Sequence, residues 1–470
     1  MSAVDARGRP DQAERTAPMI RSTPAPLKTP AAQIRRVIHV VPGPERHGVT
    51  RHALETVAAL HPQPPRTRTR LRVRHELLRI LADADGPHRA LDEAAAHALA
   101  RLLPAGTPNA LLHLHLTDHL LGTCATRCAD LVVALARRRP ISLTLHDLPQ
   151  PDEPRDGMSS VEEPGPVGRF ARRRRAYARM AAHARGIVVA SEHERALLTT
   201  ALAAEGLVAG GPIAVIPLPL AAPVSPPGAQ VPEASIASSW AGDADVVCAG
   251  SADLTDPTDP SARGGGQRPR DLVVFGYLYP GKGHTAALEA LACLGTDARA
   301  ADVGLLALGG PSPGHADLVD ALAARARNLR RRFDLTGYLP EDQITARLRA
   351  AAVPVAAADH MSASGSIGSW LSAGRRPLVP TGAYVDELEA RCPGALLRYG
   401  PGMPHPTLAA AVLAALANPR LTWLDAQVRL GPDADTCAAQ LDTLLCDWAR
   451  LGAESRPGTS DATGSWSRND

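Results

Sequence analysis

Phenylalanine is nearly missing from this sequence: three residues in a chain of 470, with all aromatics at 3%. Ala, Leu and Val must therefore fill the core, and rings are too sparse to stack single-stranded nucleic acid. A charge excess is missing too. The formal net charge is only +3, so no nucleic-acid partner is expected. Cysteine occurs seven times without a pattern. The nearest pair, Cys124 and Cys128, has helix-face spacing, and no CxxC or Cys/His cluster appears. No structural zinc is expected, and the lack of a disulfide framework fits a reducing compartment. No window offers the ~18 uninterrupted apolar residues of a membrane span. Met1–Lys28 lacks the apolar stretch of a signal peptide, so a cytoplasmic location is expected. Lysine is the last shortage. Of 51 Lys and Arg residues only Lys28 and Lys282 are lysine, so a lysine kept inside the folded region invites a chemical reason.

What is present is an α/β rhythm, met twice. Residues 1–33 are rich in Pro, Ser, Thr and Arg and read as a disordered tail. From 34 to 220, short apolar runs such as Val37–Val41, Leu111–Leu116 and Ile141–Leu145 alternate with helical stretches, the pattern of a parallel sheet covered on both faces. Residues 221–270 are crowded with Pro, Ala, Gly and Asp and read as a linker or inserted loop. The rhythm resumes over 271–452, with strands expected at Leu272–Phe275 and Val353–Ala357 and helices expected near Pro406–Ala417 and Trp423–Leu430. Residues 453–470 read as a second loose tail. The fold class is α/β, two doubly wound parallel-sheet domains.

Ligands of such sheets bind beyond the carboxyl ends of strands, where helix N-termini present free N–H groups. After the first strand comes Pro42-Gly43-Pro44-Glu45-Arg46-His47-Gly48, either a ligand loop or a plain turn. After Leu272–Phe275 comes Gly276-Tyr277-Leu278-Tyr279-Pro280-Gly281-Lys282-Gly283-His284. This sets an ammonium beside the free N–H groups of a helix start, as a diphosphate requires. It is not a Walker loop, since the GKS or GKT ending is missing. A solvated Lys in a turn is the alternative. After Val353–Ala357 come Ser362-Ala363-Ser364-Gly365-Ser366, which suit a phosphate cradle, an N-cap or both. In the first half His146-Asp147 follows a strand, and His113 and His115 share one strand face. His146 is either a cleft residue or a structural one. Arg172–Arg175 form a basic patch on a helix, read as a solvated face or as a contact to an anionic membrane surface, peripheral to its inner side.

In this order the stations resemble the family-4 retaining glycosyltransferases (group 1, GT-B fold) from about Arg35 to Leu430. Further similarity lies in Ile187-Val188-Val189-Ala190-Ser191-Glu192-His193-Glu194, Val215-Ile216-Pro217-Leu218-Pro219, Leu308-Gly309-Gly310, Leu335-Thr336-Gly337-Tyr338-Leu339-Pro340 and Ala373-Gly374-Arg375-Arg376-Pro377-Leu378-Val379. The resemblance implies two Rossmann-like domains facing a cleft and transfer of a hexose from a nucleotide-sugar donor with retention. The donor base would lie near Tyr338 and the diphosphate against Gly276, Lys282 and Gly283, with Ser364, Gly365 and Ser366 as further donors. An unidentified acceptor (polysaccharide, glycolipid or small metabolite) would enter near Gly48, with His146 as the catalytic candidate. Metal would be dispensable, because cationic side chains and helix N-termini neutralise the leaving diphosphate. The sequence departs from the family at Tyr277, where an Arg is usual, and at Met361 and Ser369, where a pair of Glu is usual. Those departures leave a second reading, a catalytically impaired homologue that binds a nucleotide sugar or a protein partner.

Overall fold

The computed structural model describes residues 36–450 apart from 46, 61–72, 81–109, 119, 122–123, 151–165, 224–269, 296, 298–299, 301 and 402–403. The expected tails and nearly all of the expected linker lie outside the described residues. Two six-stranded sheets, parallel throughout, carry the chain. The first has the order β2-β1-β3-β4-β5-β6, from Arg74–Ile80, Arg36–Pro42, Ala110–Leu116, Ile141–Leu145, Ile187–Val189 and Ile213–Val215. The second has the order β12-β11-β10-β7-β8-β9, from Leu397–Tyr399, Leu378–Pro380, Val353–Val355, Leu272–Phe275, Leu305–Leu308 and Phe333–Leu335. In this order the direction of winding reverses between β7 and β10, which opens a crevice at their carboxyl ends.

The central strands are short runs of Leu, Val and Ile, buried on both faces as a helix-covered parallel sheet demands. One face of the first sheet meets helices α2 (Ala125–Ala136) and α3 (Pro166–His183) through Leu112, Leu114, Cys128, Val132 and Tyr177. Helix α4 (Glu192–Ala204) follows β5, and Ser191 caps it by accepting from Glu194 N at 2.9 Å. Around the second sheet lie α5 (His284–Cys293), α6 (Asp317–Asn328), α7 (Glu341–Ala350), α8 (Gly365–Ser372), α9 (Ala383–Arg391) and α10 (Leu408–Ala417).

Three features differ from the sequence reading. Edge strands β2 and β12 were not anticipated, because RHELLRI and LRY carry charges that blur the apolar run. The helix expected at Trp423–Leu430 is absent. A 3₁₀ turn, Pro419–Thr422, precedes it, and the following backbone is drawn into the 374–376 loop by Leu424 N→Gly374 O and Arg376 N→Thr422 O. Finally, helix α11 (Ala434–Arg450), counted by sequence with the second half, lies on the first sheet. Its Leu441, Leu445 and Trp448 cluster with Val37, Leu111 and Val188. Trp448 sits so close to Gly186 that a Cβ there would come within 2.1 Å of the indole, which is why the strand entry is glycine. Among the described residues no helix is long and apolar enough to cross a membrane.

Candidate functional site

At the crevice between β7 and β10, two loops converge. The loop after β7 turns on Gly276 (φ 111°) and Gly281 (φ 79°) and delivers Lys282 to the start of α5. Gly283, the residue before that helix, has φ 96°, and a Cβ on it would lie 2.2 Å from the Ala357 carbonyl oxygen. Only glycine lets the helix start approach the end of β10 this closely. Asp359 N donates to Gly281 O at 2.9 Å and ties the two loops together. Lys282 Nζ then reaches across to Ser366 Oγ at 3.2 Å, and Ser366 Oγ lies 3.1 Å from Ser364 Oγ. Ser364 also caps α8, its Oγ accepting from Ile367 N at 3.3 Å, which is the N-cap role read from sequence.

No carboxylate pairs with Lys282 among the described residues; its Nζ meets the Ser366 hydroxyl and lies 5.7 Å from the Tyr279 ring, and a Cβ on Gly276 would come within 3.5 Å of it. Burial without a counter-ion lowers its pKa to about 8. Beneath it His284 is 3% exposed, both ring nitrogens have no hydrogen-bond partner among the described residues, and burial, then the Lys282 charge, lowers its pKa to about 3. An ammonium, two hydroxyls and the N-terminal N–H groups of α5 and α8 thus form a cationic cradle beside a neutral imidazole. Next to it, Gly309 (φ 153°) lets β8 end against Gly276 O, and Gly310 faces Gly337 and Tyr338, whose ring is 63% exposed.

In the first lobe Gly48 opens helix α1 (Gly48–Leu60), and a Cβ there would meet nothing within 4 Å. His146 ends β4, 7% exposed, with its ring edge-on to His52 of α1 at 5.5 Å. Burial, then the charges of His52 and His47, lowers the His146 pKa to about 3, so it is a neutral imidazole at physiological pH. Its Nε2 has no hydrogen-bond partner among the described residues. His146, His52, His115, Thr56, Thr144 and Ile216 are among the residues lining a small cavity. The backbone here is held from α3. Tyr177 OH donates to His146 O at 3.1 Å, and Arg173 donates to Asp147 O at 2.9 Å while pairing with buried Asp118 at 2.9 Å. Asp147 is thereby kept at φ 58°, in the left-handed region that non-glycine residues rarely use.

That network revises the basic patch. Arg173 faces inward, and Arg174 and Arg175 both pair with Glu205, so these three arginines are engaged within the protein. Sequence reasoning also missed the junction between the lobes. Ser191 Oγ donates to Ser362 O at 2.7 Å, and Ser362 Oγ donates to Glu194 Oε1 at 2.9 Å. The other Glu194 oxygen accepts from Ala190 N at 2.7 Å. Glu194 is fully buried, and that burial raises its pKa to about 7. In sequence it stands in the stretch Ile187–Glu194 and has the Ser191-x-x-Glu194 capping spacing, neither of which points to the second lobe. The structure therefore brings Gly276, Lys282, Gly283, Ser364, Gly365 and Ser366 together, sets Tyr338 on the adjoining loop, and leaves Gly48 and His146 in the other lobe.

No family model matches the chain, and no curated protein matches it. Solved structures do. The Anabaena HepE structure with UDP and glucose is 14% identical, with a TM-score of 0.52, over 89% of this chain and 96% of that one. HepE with UDP-glucose gives a TM-score of 0.52 at 13% identity over 89% and 98%. The sucrose-phosphate synthase of Thermosynechococcus elongatus gives 0.52 at 15% identity over 89% and 96%. The fold is that of the GT-B glycosyltransferases, two Rossmann-like lobes in one chain.

Proposed function

We propose that this chain transfers a hexose from a nucleotide-sugar donor to an acceptor hydroxyl, with the donor diphosphate at Lys282. One observation carries the reading: a half-buried ammonium with no carboxylate partner among the described residues, set between two helix N-termini at the crevice of a doubly wound sheet. A desolvated cation of this kind gains most from an arriving anion. As the sugar–phosphate bond breaks, negative charge grows on the departing diphosphate. Lys282, Ser366 and the α8 N–H groups are placed to stabilise it, so a divalent ion is not required at that point. Tyr338, exposed on the neighbouring loop, offers a face for the base. His146, neutral, offers Nε2 to a hydroxyl of donor or acceptor, and Gly48 leaves backbone room for an acceptor.

HepE has been solved with UDP and with UDP-glucose, which makes UDP-hexoses the first donors to test. The assay incubates the full chain with UDP-, GDP-, ADP- and TDP-sugars and follows nucleotide diphosphate release. Selective release from one nucleotide class, with product of unchanged anomeric configuration by NMR, is the expected result. Binding without turnover, across a broad acceptor panel, would favour the second reading, a nucleotide-sugar-binding homologue. That reading has its own support: Met361 packs into an apolar cluster and the Ser369 hydroxyl donates to Gly365 O at 3.1 Å, so neither offers a carboxylate to a sugar.

A further inference from the structure

Four histidines lie in one buried row on the first sheet. His75 of β2, His39 of β1 and His113 and His115 of β3 share the face that α1 and α11 cover, and His39 stands level with His113 in the ladder. The same face also carries Ser142 and Thr144 of β4 beside apolar Val37, Leu111 and Val188. We propose that the row is a binding site for one divalent transition-metal ion of the zinc class, held by His39 Nδ1, His115 Nε2 and His113.

Asp442 of α11 stands at the outer end of the row. Its carboxylate accepts from His75 Nε2 at 2.9 Å, and a neutral His75 ring then presents Nδ1 as an acceptor. His39 Nε2 donates to that nitrogen at 3.0 Å, which leaves the His39 Nδ1 lone pair facing His115 Nε2 at 3.2 Å. A carboxylate two histidines back thus fixes the tautomer of a ligand, the usual support behind a metal-bound imidazole. Two nitrogens each ~2.0–2.1 Å from a tetrahedral zinc stand about 3.3 Å apart, so the His39–His115 edge fits without movement. One nitrogen from each of His39, His113 and His115 falls within a single 4.8 Å group, and all three residues are buried; the His113 ring is held by Ser142 Oγ and Thr144 Oγ1, each at 2.9 Å, so one of these hydroxyls yields its nitrogen to the ion. The cavity reaches the cluster, since His115 and Thr144 line it and Thr144 Oγ1 lies 2.9 Å from His113 Nε2. Three protein nitrogens leave one tetrahedral position open. An inner set of imidazoles without a carboxylate suits zinc, copper, nickel or iron, and not magnesium or calcium. The ion ties β1 to β3 beneath α11. It lies in the opposite lobe from Lys282, and the inference does not depend on the proposed reaction. It also departs from the sequence expectation of no metal, which looked for ligands close in sequence; here they come from neighbouring strands.

The test uses the untagged full chain, stripped with chelator and titrated with Co²⁺ as a visible probe and then with Zn²⁺. The expected result is one tight equivalent, a tetrahedral cobalt absorption band, and its loss on adding zinc. His115→Ala should abolish the band. Because a core variant can fail to fold, Asp442→Ala provides the second arm: its side chain is 47% exposed, and removing it should weaken binding about 10–100-fold while circular dichroism stays unchanged. Lys282→Ala should bind cobalt as the wild type does. Failure of the folded wild type to take up one equivalent overturns the proposal. So does binding that Asp442→Ala and a folded His115→Ala leave intact, which would place the ion on surface histidines. NMR of the stripped, zinc-treated chain with a proton retained on His115 Nε2 would likewise overturn it, leaving a metal-free hydrogen-bonded row.

Discussion

The two lobes are built alike and filled differently. The second sheet buries Leu, Val and Ala and keeps its chemistry in loops, where Lys282, Ser364 and Ser366 stand at strand ends. The first sheet carries polar groups through its middle: His39, His113, His115, Ser142 and Thr144 are all buried. Its loop geometry is also held by a buried ion pair, Arg173–Asp118, which has no described counterpart beneath the Lys282 loop. In a GT-B fold such a contrast fits a division of labour. Under the proposed reaction the second lobe would keep a cation for the diphosphate, and the first would present the neutral imidazole of His146. The lobes meet at Glu194, a first-lobe carboxyl bonded to a second-lobe serine.

The strongest way to break this comparison is to remove the ion pair. Arg173→Ala leaves Asp118 buried without its charge partner and should cost about 3–5 kcal/mol in urea unfolding. Arg175→Ala, on the same helix but with its side chain 70% exposed, should cost about 0–1 kcal/mol. Equal losses would mean that the helix is one solvated face and that the first-lobe loop is held some other way.

The junction comes next. Burial raises the Glu194 pKa to about 7, so the folded state binds that proton more tightly than the unfolded chain, whose Glu titrates near about 4.3. The stabilising contribution of protonated Glu194 is therefore full below about pH 4 and is lost as pH rises through about 7. The span is on the order of 3 kcal/mol, and Glu194→Gln should flatten it. A variant whose stability–pH curve overlays the wild type would remove Glu194 from the account of the junction.

The smallest contrast is between two glycines. Gly283→Ala meets the Ala357 carbonyl and a positive φ, so thermal unfolding should show a loss of at least about 1–3 kcal/mol. Gly48→Ala meets open space at a helix start and should stay within about 0.5 kcal/mol. A large cost at Gly48 would show that the first-lobe loop is as tightly packed as the second.

The same contrast explains what could be read from sequence. The Lys282 cradle was legible because its parts are local: glycines that permit close turns, a lysine in an arginine-rich chain, and serines at a helix start. The alternation of short apolar runs and helices marked the inner strands of both sheets for the same reason, while the charged edge strands β2 and β12 escaped it. The histidine row was not legible, since His39, His75 and His113 become neighbours only through strand register. Arg173 looked like its neighbours in the Arg172–Arg175 run, and only the packing of the helix turns it inward onto Asp118. Helix α11 gave no sign that it would leave the second half of the chain and cover the first sheet.

The central claim is that Lys282 receives the donor diphosphate. Its most direct test measures UDP binding by calorimetry and UDP release from UDP-hexoses for the wild type and Lys282→Ala side by side. The account expects the wild type to bind UDP and turn over one donor, and the variant to lose about 10²–10³-fold in turnover with weakened UDP binding and an intact fold. A folded variant that binds UDP and releases it from the donor as the wild type does would contradict the account, because the diphosphate would then lie elsewhere.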